Sequence, residues 1–414
     1  MKPTDVFTRA LLASTFCVWL TTGCKPSETA AKPDPAMVQL QALYGKAQGG
    51  DLKAQYDFAI AVADRASWTN HLEESLRWLR KSADGGHTPA ILDLAHRLEK
   101  GESLSANPEE AAQWYRKGAE KGDAACAGAL GSLYVRGVGV TQDFVEAAKW
   151  FKIGAEGKDA AAAYGLGGLY KEGKGLPNDP AEAFAWFRKA ADLGHPGAQW
   201  EAGNALVHGL GTAAKPEEAI PYLKPAAEKG IVGAQFELAS LYQRGEGVPA
   251  DFNQAAKLFQ QAADQGHVQA QSELGVALIN GHGMTQDFSQ AVKWLRKAAD
   301  KGDREAQFRM GQLQAGGQGG LAQNHDEAMA WYRKAAESGH PEAQFSLGAL
   351  FASGPTGNQD PVEAATWLTL SERAGNTNAT TLREFITQLL TEEQTAEVAK
   401  RVAALKTKAP AKTQ

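Results

Sequence analysis

A 36-residue period constrains this chain more than any other feature. The junction residues Gly50, Gly86, Gly122, Lys158, Gly194, Gly230, Gly266, Gly302, Gly339 and Gly375 are 36 apart at every step but one of 37, and they enclose nine units. Self-similarity at this period marks a stack of helix pairs, in which no unit buries its apolar faces without its neighbours.

Each position within the unit has a physical role. Four residues past the junction stands a small residue (Ala54, Ala90, Cys126, Ala162), and four further on a mostly large apolar one (Phe58, Leu94, Leu130, Leu166). Leu133, Leu169, Leu241, Leu313 and Leu350 extend that stripe at helical spacing. Gly131, Gly167, Gly203, Gly275, Gly311 and Gly348 recur in mid-helix. There a glycine costs roughly 1 kcal/mol against alanine, so its recurrence predicts a close approach of two helices. The first helix should stop at a Gly-x-Gly turn, as at Gly137 and Gly139. The second opens on Asp or Asn with an acid or amide three residues on, as in Asn107/Glu110 and Asp143/Glu146, which is capping-box spacing. Pro108, Pro180, Pro216 and Pro361 occupy the first-turn position that tolerates proline. An aromatic follows, usually tryptophan (Trp78, Trp114, Trp150, Trp186, Trp294, Trp331, Trp367), and its periodic placement predicts packing in the core.

The pattern A-Q-x-x-L-G-x-L-Y-x-x-G-x-G-V-x-x-D-x-x-x-A-x-x-W-x-x-K-A-A-x-x-G, fullest over residues 122–157 and 233–266, resembles the Sel-1-like repeat family, relatives of tetratricopeptide repeats. The resemblance implies an all-α fold, a right-handed α/α superhelical solenoid of about nine helix-turn-helix repeats. It also implies an adaptor in assembled complexes rather than a reaction. The first two units depart from the pattern: Arg65 replaces the first turn glycine of one, and Ser103 the second of the other. They are candidates for an N-terminal cap.

Residues 1–23 read as a lipoprotein signal peptide, with Lys2 and Arg9 ahead of a short apolar core, Ala10 to Leu20. Thr22-Gly23-Cys24 resembles a bacterial lipobox with Thr21 where leucine is typical, which would make Cys24 the lipidated first residue. An ordinary cleaved signal or an uncleaved anchor is the alternative. The expected location is then the envelope, at the outer membrane facing the periplasm, with membrane contact through the lipid on Cys24. Residues 24–48 read as anchor and tether, with a helical turn starting near Met37; 49–375 as the repeats; 376–405 as a helical cap; and 406–414 as a disordered tail. The cap shows an apolar face of Leu382, Phe385, Ile386, Leu389 and Leu390, and a capping box in Thr391 and Gln394.

The formal charge is −5, and −6 without residues 1–23, which argues against nucleic acid as a partner. Of the three cysteines, Cys17 lies in the signal and Cys24 at the lipid site, so Cys126 has no disulfide partner within the mature chain. His87, His195, His267 and His340 occupy one position in well-separated units, so they cannot share a metal; no cofactor is implied. HExxH, GxSxG, SxxK and P-loop motifs are missing, which leaves an envelope hydrolase without its chemistry. One row stands out six residues past the junction: Tyr56, Leu92, Tyr164, Trp200, Phe236, Phe308 and Phe345, interrupted by Gly128 and Ser272. It either faces a binding groove or packs between adjacent units. The functional expectation is a non-catalytic envelope scaffold for a protein partner, with Tyr56, Tyr164, Trp200, Phe236, Phe308 and Phe345 as candidate contacts. The alternative is a periplasmic part of a polysaccharide export or cell-wall assembly complex.

Overall fold

The computed structural model describes residues 35–65, 71–102, 105–354 and 359–406; the signal, Cys24 and the tail beyond 406 lie outside them. The described residues are helices and their connections, grouped into two compact units that divide after Ala198. The first unit holds α1 (Pro35–Gln48), α2 (Leu52–Ala63), α3 (His71–Gly85), α4 (Thr88–Lys100), α5 (Pro108–Glu120), α6 (Ala124–Arg136), α7 (Phe144–Glu156), α8 (Ala160–Glu172) and α9 (Pro180–Asp192), and the division falls within α10 (Pro196–His208). The second holds α11 (Pro216–Glu228), α12 (Val232–Arg244), α13 (Phe252–Asp264), α14 (Val268–Asn280), α15 (Phe288–Asp300), α16 (Arg304–Gly316), α17 (His325–Glu337), α18 (Pro341–Ser353), α19 (Pro361–Arg373), α20 (Asn378–Thr387) and α21 (Glu392–Lys406).

The mid-helix glycines do what their recurrence predicts. A Cβ on Gly131 would lie 2.7 Å from the Phe151 ring, one on Gly167 2.7 Å from Phe187, and one on Gly275 2.5 Å from Leu295. The large residue of the second helix therefore sits on the bare backbone of the first. That large residue is the one after the tryptophan, which corrects the expectation for the tryptophans themselves. Tyr115, Phe151, Phe187, Leu223, Phe259, Leu295, Tyr332 and Leu368 are buried. Among the tryptophans, Trp78 and Trp367 are buried, but Trp114, Trp150, Trp186, Trp294 and Trp331 are half-buried. One residue turns a helix by about 100°, so only one of two neighbours can point at the glycine. Lysines three residues on lie over the exposed rings: Lys117 on Trp114 at 4.4 Å, Lys189 on Trp186 at 3.9 Å, Lys297 on Trp294 at 3.9 Å and Lys334 on Trp331 at 4.1 Å.

The capping-box spacing is half used. Asp143 Oδ1 accepts from the N–H groups of Val145 and Glu146 at 2.9 and 3.0 Å, as an N-cap should. The reciprocal bond is not needed, because the Asp143 N–H donates to the Tyr134 carbonyl of the preceding helix. The same return bond recurs at Asp179, Asp251, Asp287 and Asp360 and joins the two helices of a unit. The glutamate freed from this duty accepts from the tryptophan indole instead, as Glu110 does from Trp114 at 3.3 Å and Glu363 from Trp367 at 2.8 Å. The complete reciprocal box forms between Thr391 and Gln394 in the cap.

Part of the stretch read as tether is core. Helix α1 buries Leu40 and Ala47, and the Tyr44 ring lies 5.1 Å from Phe58 and 5.8 Å from Trp78. Leu40, Leu43, Tyr44 and Ala47 share one helical face, which covers the otherwise open apolar side of α2. At the other end, α21 buries Val398 and Val402, and Arg401 bonds Glu363 at 2.7 Å.

Every junction takes a left-handed backbone. The junction glycines have φ between 80° and 97°, and Lys158 is the non-glycine among them at 65°. An L-residue pays roughly 1–2 kcal/mol there. Lys158→Gly is therefore expected to stabilise the protein by about 1 kcal/mol, read as a higher urea midpoint at unchanged slope. Gly275→Ala should lower it by roughly 1–3 kcal/mol, although alanine is the better helix former, because the added carbon overpacks Leu295.

Candidate interaction surface

Within each compact unit, residues six past a junction pair with the residue that opens the next first helix. Tyr164 stacks on His195 with centroids 4.4 Å apart, Phe236 on His267 at 4.5 Å and Phe308 on His340 at 4.6 Å; Tyr56 lies 5.5 Å from His87 at a tilt. The interruptions obey the same pairing. Ser272 Oγ donates to Asp303 Oδ1 at 2.8 Å, and Gly128 leaves room for the Asp159 carboxylate. Trp200 packs on Gly233, where a Cβ would meet the indole at 2.5 Å.

Both partner types are helix N-caps. Asp51, Asp123, Asp159 and Asp303 accept from the third backbone N–H of the helix that follows, at 2.6–2.9 Å. His195, His267 and His340 do the same through Nδ1 at 3.2–3.3 Å, which fixes that nitrogen as unprotonated. An imidazole offers a flat face to a ring, and a carboxylate fits beside glycine or serine. The pairing was legible as a 31- or 32-residue spacing between aromatic and histidine. Reading the histidines and the aromatics as two sets hid it.

The candidate contacts thus differ in what they leave for a partner. Tyr56, Tyr164, Trp200, Phe236 and Phe345 are half-buried. Phe308 is only 5% exposed, which corrects its place among the partner-facing residues: His340 covers one side, Tyr332 packs 5.8 Å away, and the Arg309 guanidinium lies 5.4 Å from its centroid. Cys24 lies outside the described residues. A further apolar feature went unread. Phe345 lines a cavity of about 590 Å³ with Tyr332, Leu350, Leu382, Phe385 and Ile386. Of the cap's apolar face, Ile386 is buried, while Phe385 and Leu389 are 59% and 62% exposed. Helix α20 ends at Thr387, so it is too short to turn both inward.

Ionisation follows contact. The His340 Nε2, 2.8 Å from Glu305 Oε2, holds the Glu305 carboxyl below its ordinary range. Burial pushes the Tyr332 phenol up to about 12 and raises the Cys126 thiol, which suits Cys126 to packing rather than reaction.

The Sel1 repeat family matches residues 71–87, 88–123, 124–159, 160–195, 196–231, 232–267, 268–303, 304–340 and 341–376. The chain belongs to the Sel1 repeat family. The matches from 88–123 to 304–340 each run from the start of one first helix to the N-cap of the next, so a stacked aromatic and its histidine fall in one match, the histidine as its last residue and as the cap of the helix that opens the next. The 71–87 match begins at α3, which leaves α1 and α2 outside it. The chain is an all-α solenoid of Sel1 repeats. It is similar to c5321, described as a protective antigen present in uropathogenic Escherichia coli strains displaying an SLR fold: 27% identity, TM-score 0.56, over 89% of this chain and 94% of that one. A Sel1 repeat protein from Oxalobacter formigenes is 28% identical over 82% of this chain and 99% of its own, with a TM-score of 0.49. No curated protein sequence matches the chain. Sel1 repeat proteins are generally protein-interaction scaffolds, and the fold is typically non-catalytic.

Truncation should separate packed from exposed aromatics. Phe308→Ala is expected to cost roughly 3–5 kcal/mol, as a buried ring does. Phe236→Ala and Trp200→Ala should cost clearly less, with Leu238→Ala, 3% exposed, as the buried reference. Chemical unfolding of the four variants checks the order.

Proposed function

We propose that this Sel1 repeat protein is a lipid-anchored envelope scaffold that holds a protein partner on the first-helix face of its repeats. The observation that carries the reading is the row of half-buried aromatics, Tyr56 and Tyr164 in the first unit and Trp200, Phe236 and Phe345 in the second. Each stands on a first helix, and Tyr164 and Phe236 are held on one side by the histidine that caps the next first helix. Such rings are rigid, partly desolvated and unlike a lone surface aromatic, which is the character of binding hot spots. Lysines lie on four of the five half-buried tryptophans of the second helices, Trp114, Trp186, Trp294 and Trp331, which leaves little open ring for a sugar platform. This turns the proposal toward protein rather than polysaccharide.

The anchor rests on residues 1–24. With α1 starting at Pro35, the segment from Cys24 onward can hold the repeats up to about 35 Å from a bilayer, at ~3.3–3.6 Å per residue. Location at the outer membrane, facing the periplasm, accords with Lys25 after the cysteine rather than aspartate.

Two measurements test the two halves separately. Palmitate labelling should be lost in Cys24→Ala, and the protein should leave the membrane fraction; labelling that persists removes the anchor. Capture of partners from envelope extract should fall about 30-fold in the double variant Trp200→Ala/Phe236→Ala, the effect of losing a hot spot. Unchanged capture by a folded double variant removes this face as the binding surface.

A further inference from the structure

We propose that the contact between α12 and the start of α14 is an acid-sensitive joint in the repeat stack, opened by protonation of His267. As the N-cap of α14, His267 accepts the Ala270 N–H at Nδ1, 3.2 Å away, and its ring lies on Phe236 of α12 at 26°. Protonation converts Nδ1 into a donor, so the Ala270 N–H loses its acceptor. The new positive charge also sits at the positive end of the α14 dipole.

The surroundings oppose that charge. Burial lowers the tendency of His267 to protonate, and Glu237 on α12 acts the other way. Lys301, from the next junction, places its Nζ 3.4 Å from the Gly266 carbonyl, beside His267. The other ionisable groups on flanking segments are Asp264 at the end of α13, Glu273 further along α14, and Asp303 and Arg304 at the start of α16. Asp303 is engaged by Ser272 and the Ala306 N–H. Because the folded state disfavours the charged form, the unfolded state binds the proton first. The cap's contribution is therefore complete above about pH 6.5 and is lost as pH falls below it.

The second unit carries its own comparisons. His340 caps α18 and stacks on Phe308 in the same way, but Glu305 Oε2 lies 2.8 Å from its Nε2 and Glu342 Oε2 3.3 Å from its Nδ1. Two carboxylates are placed to receive the charge there. Asp303 caps α16 with a carboxylate in place of an imidazole.

Hydrogen exchange of the full chain, read by mass spectrometry at about pH 7.5 and about pH 5.5 and corrected for intrinsic rates, tests the joint. Opening at the start of α14 should rise about five-fold on acidification, the factor expected for a lost N-cap. The start of α16 should not change, and the start of α18 should change less than α14. In His267→Asp, which copies the cap of four other repeats, the pH response at α14 should vanish. The proposal fails if, in the unaltered protein, α14 responds no more than α16, or if α18 responds as strongly as α14. It fails equally if a folded His267→Asp variant keeps the response.

Discussion

The seating of a large side chain on a glycine backbone holds each repeat together. Phe151 on Gly131, Phe187 on Gly167 and Leu295 on Gly275 bring the two helices closer than any Cβ would permit. The glycine costs about 1 kcal/mol of helix propensity, and the buried ring or leucine more than offsets it with about 1.5–3 kcal/mol through area removed from water. Other features follow from this distance. The return bond from the second helix's N-cap to the first helix's carbonyl requires it, and so does the alanine-rich seam of Ala147, Ala183, Ala255 and Ala291.

Between repeats a different contact governs. The residue six past the junction meets the next first helix at its N-cap, and the pair is either flat on flat or compact on compact. The contact couples two jobs, capping a helix and joining a stack. A change of cap chemistry therefore alters the joint, and the same site that stabilises the fold also shapes the surface beside it.

Helix α11 shows how far packing overrides local preference. It contains Pro221 and Pro225 in its interior, each of which removes a backbone donor. The helix nevertheless runs its full 13 residues, because Ala219, Leu223, Ala226 and Ala227 remain buried at the expected positions. The cap is the opposite case. Its apolar residues follow helical spacing as closely as those of any repeat, yet Phe385 and Leu389 face solvent because α20 ends at Thr387 and turns only Ile386 inward.

The sequence by itself determined the repeat: its length, its two helices, their caps and the residues that must be small. These depend on contacts within one period, and nine copies average out local exceptions. Only the tertiary structure decided which of two neighbouring aromatics enters the core, because periodicity locates a position but does not set the rotation of a helix to the last residue. It also decided that Phe308 is enclosed while Phe236, at the same position one repeat pair earlier, is not. The histidine stacks on both rings, so the difference comes from Arg309, whose guanidinium lies beside Phe308 and whose reach no spacing rule records. The docking of α1 was likewise a tertiary outcome, since a short apolar face has meaning only when an uncovered neighbour stands beside it.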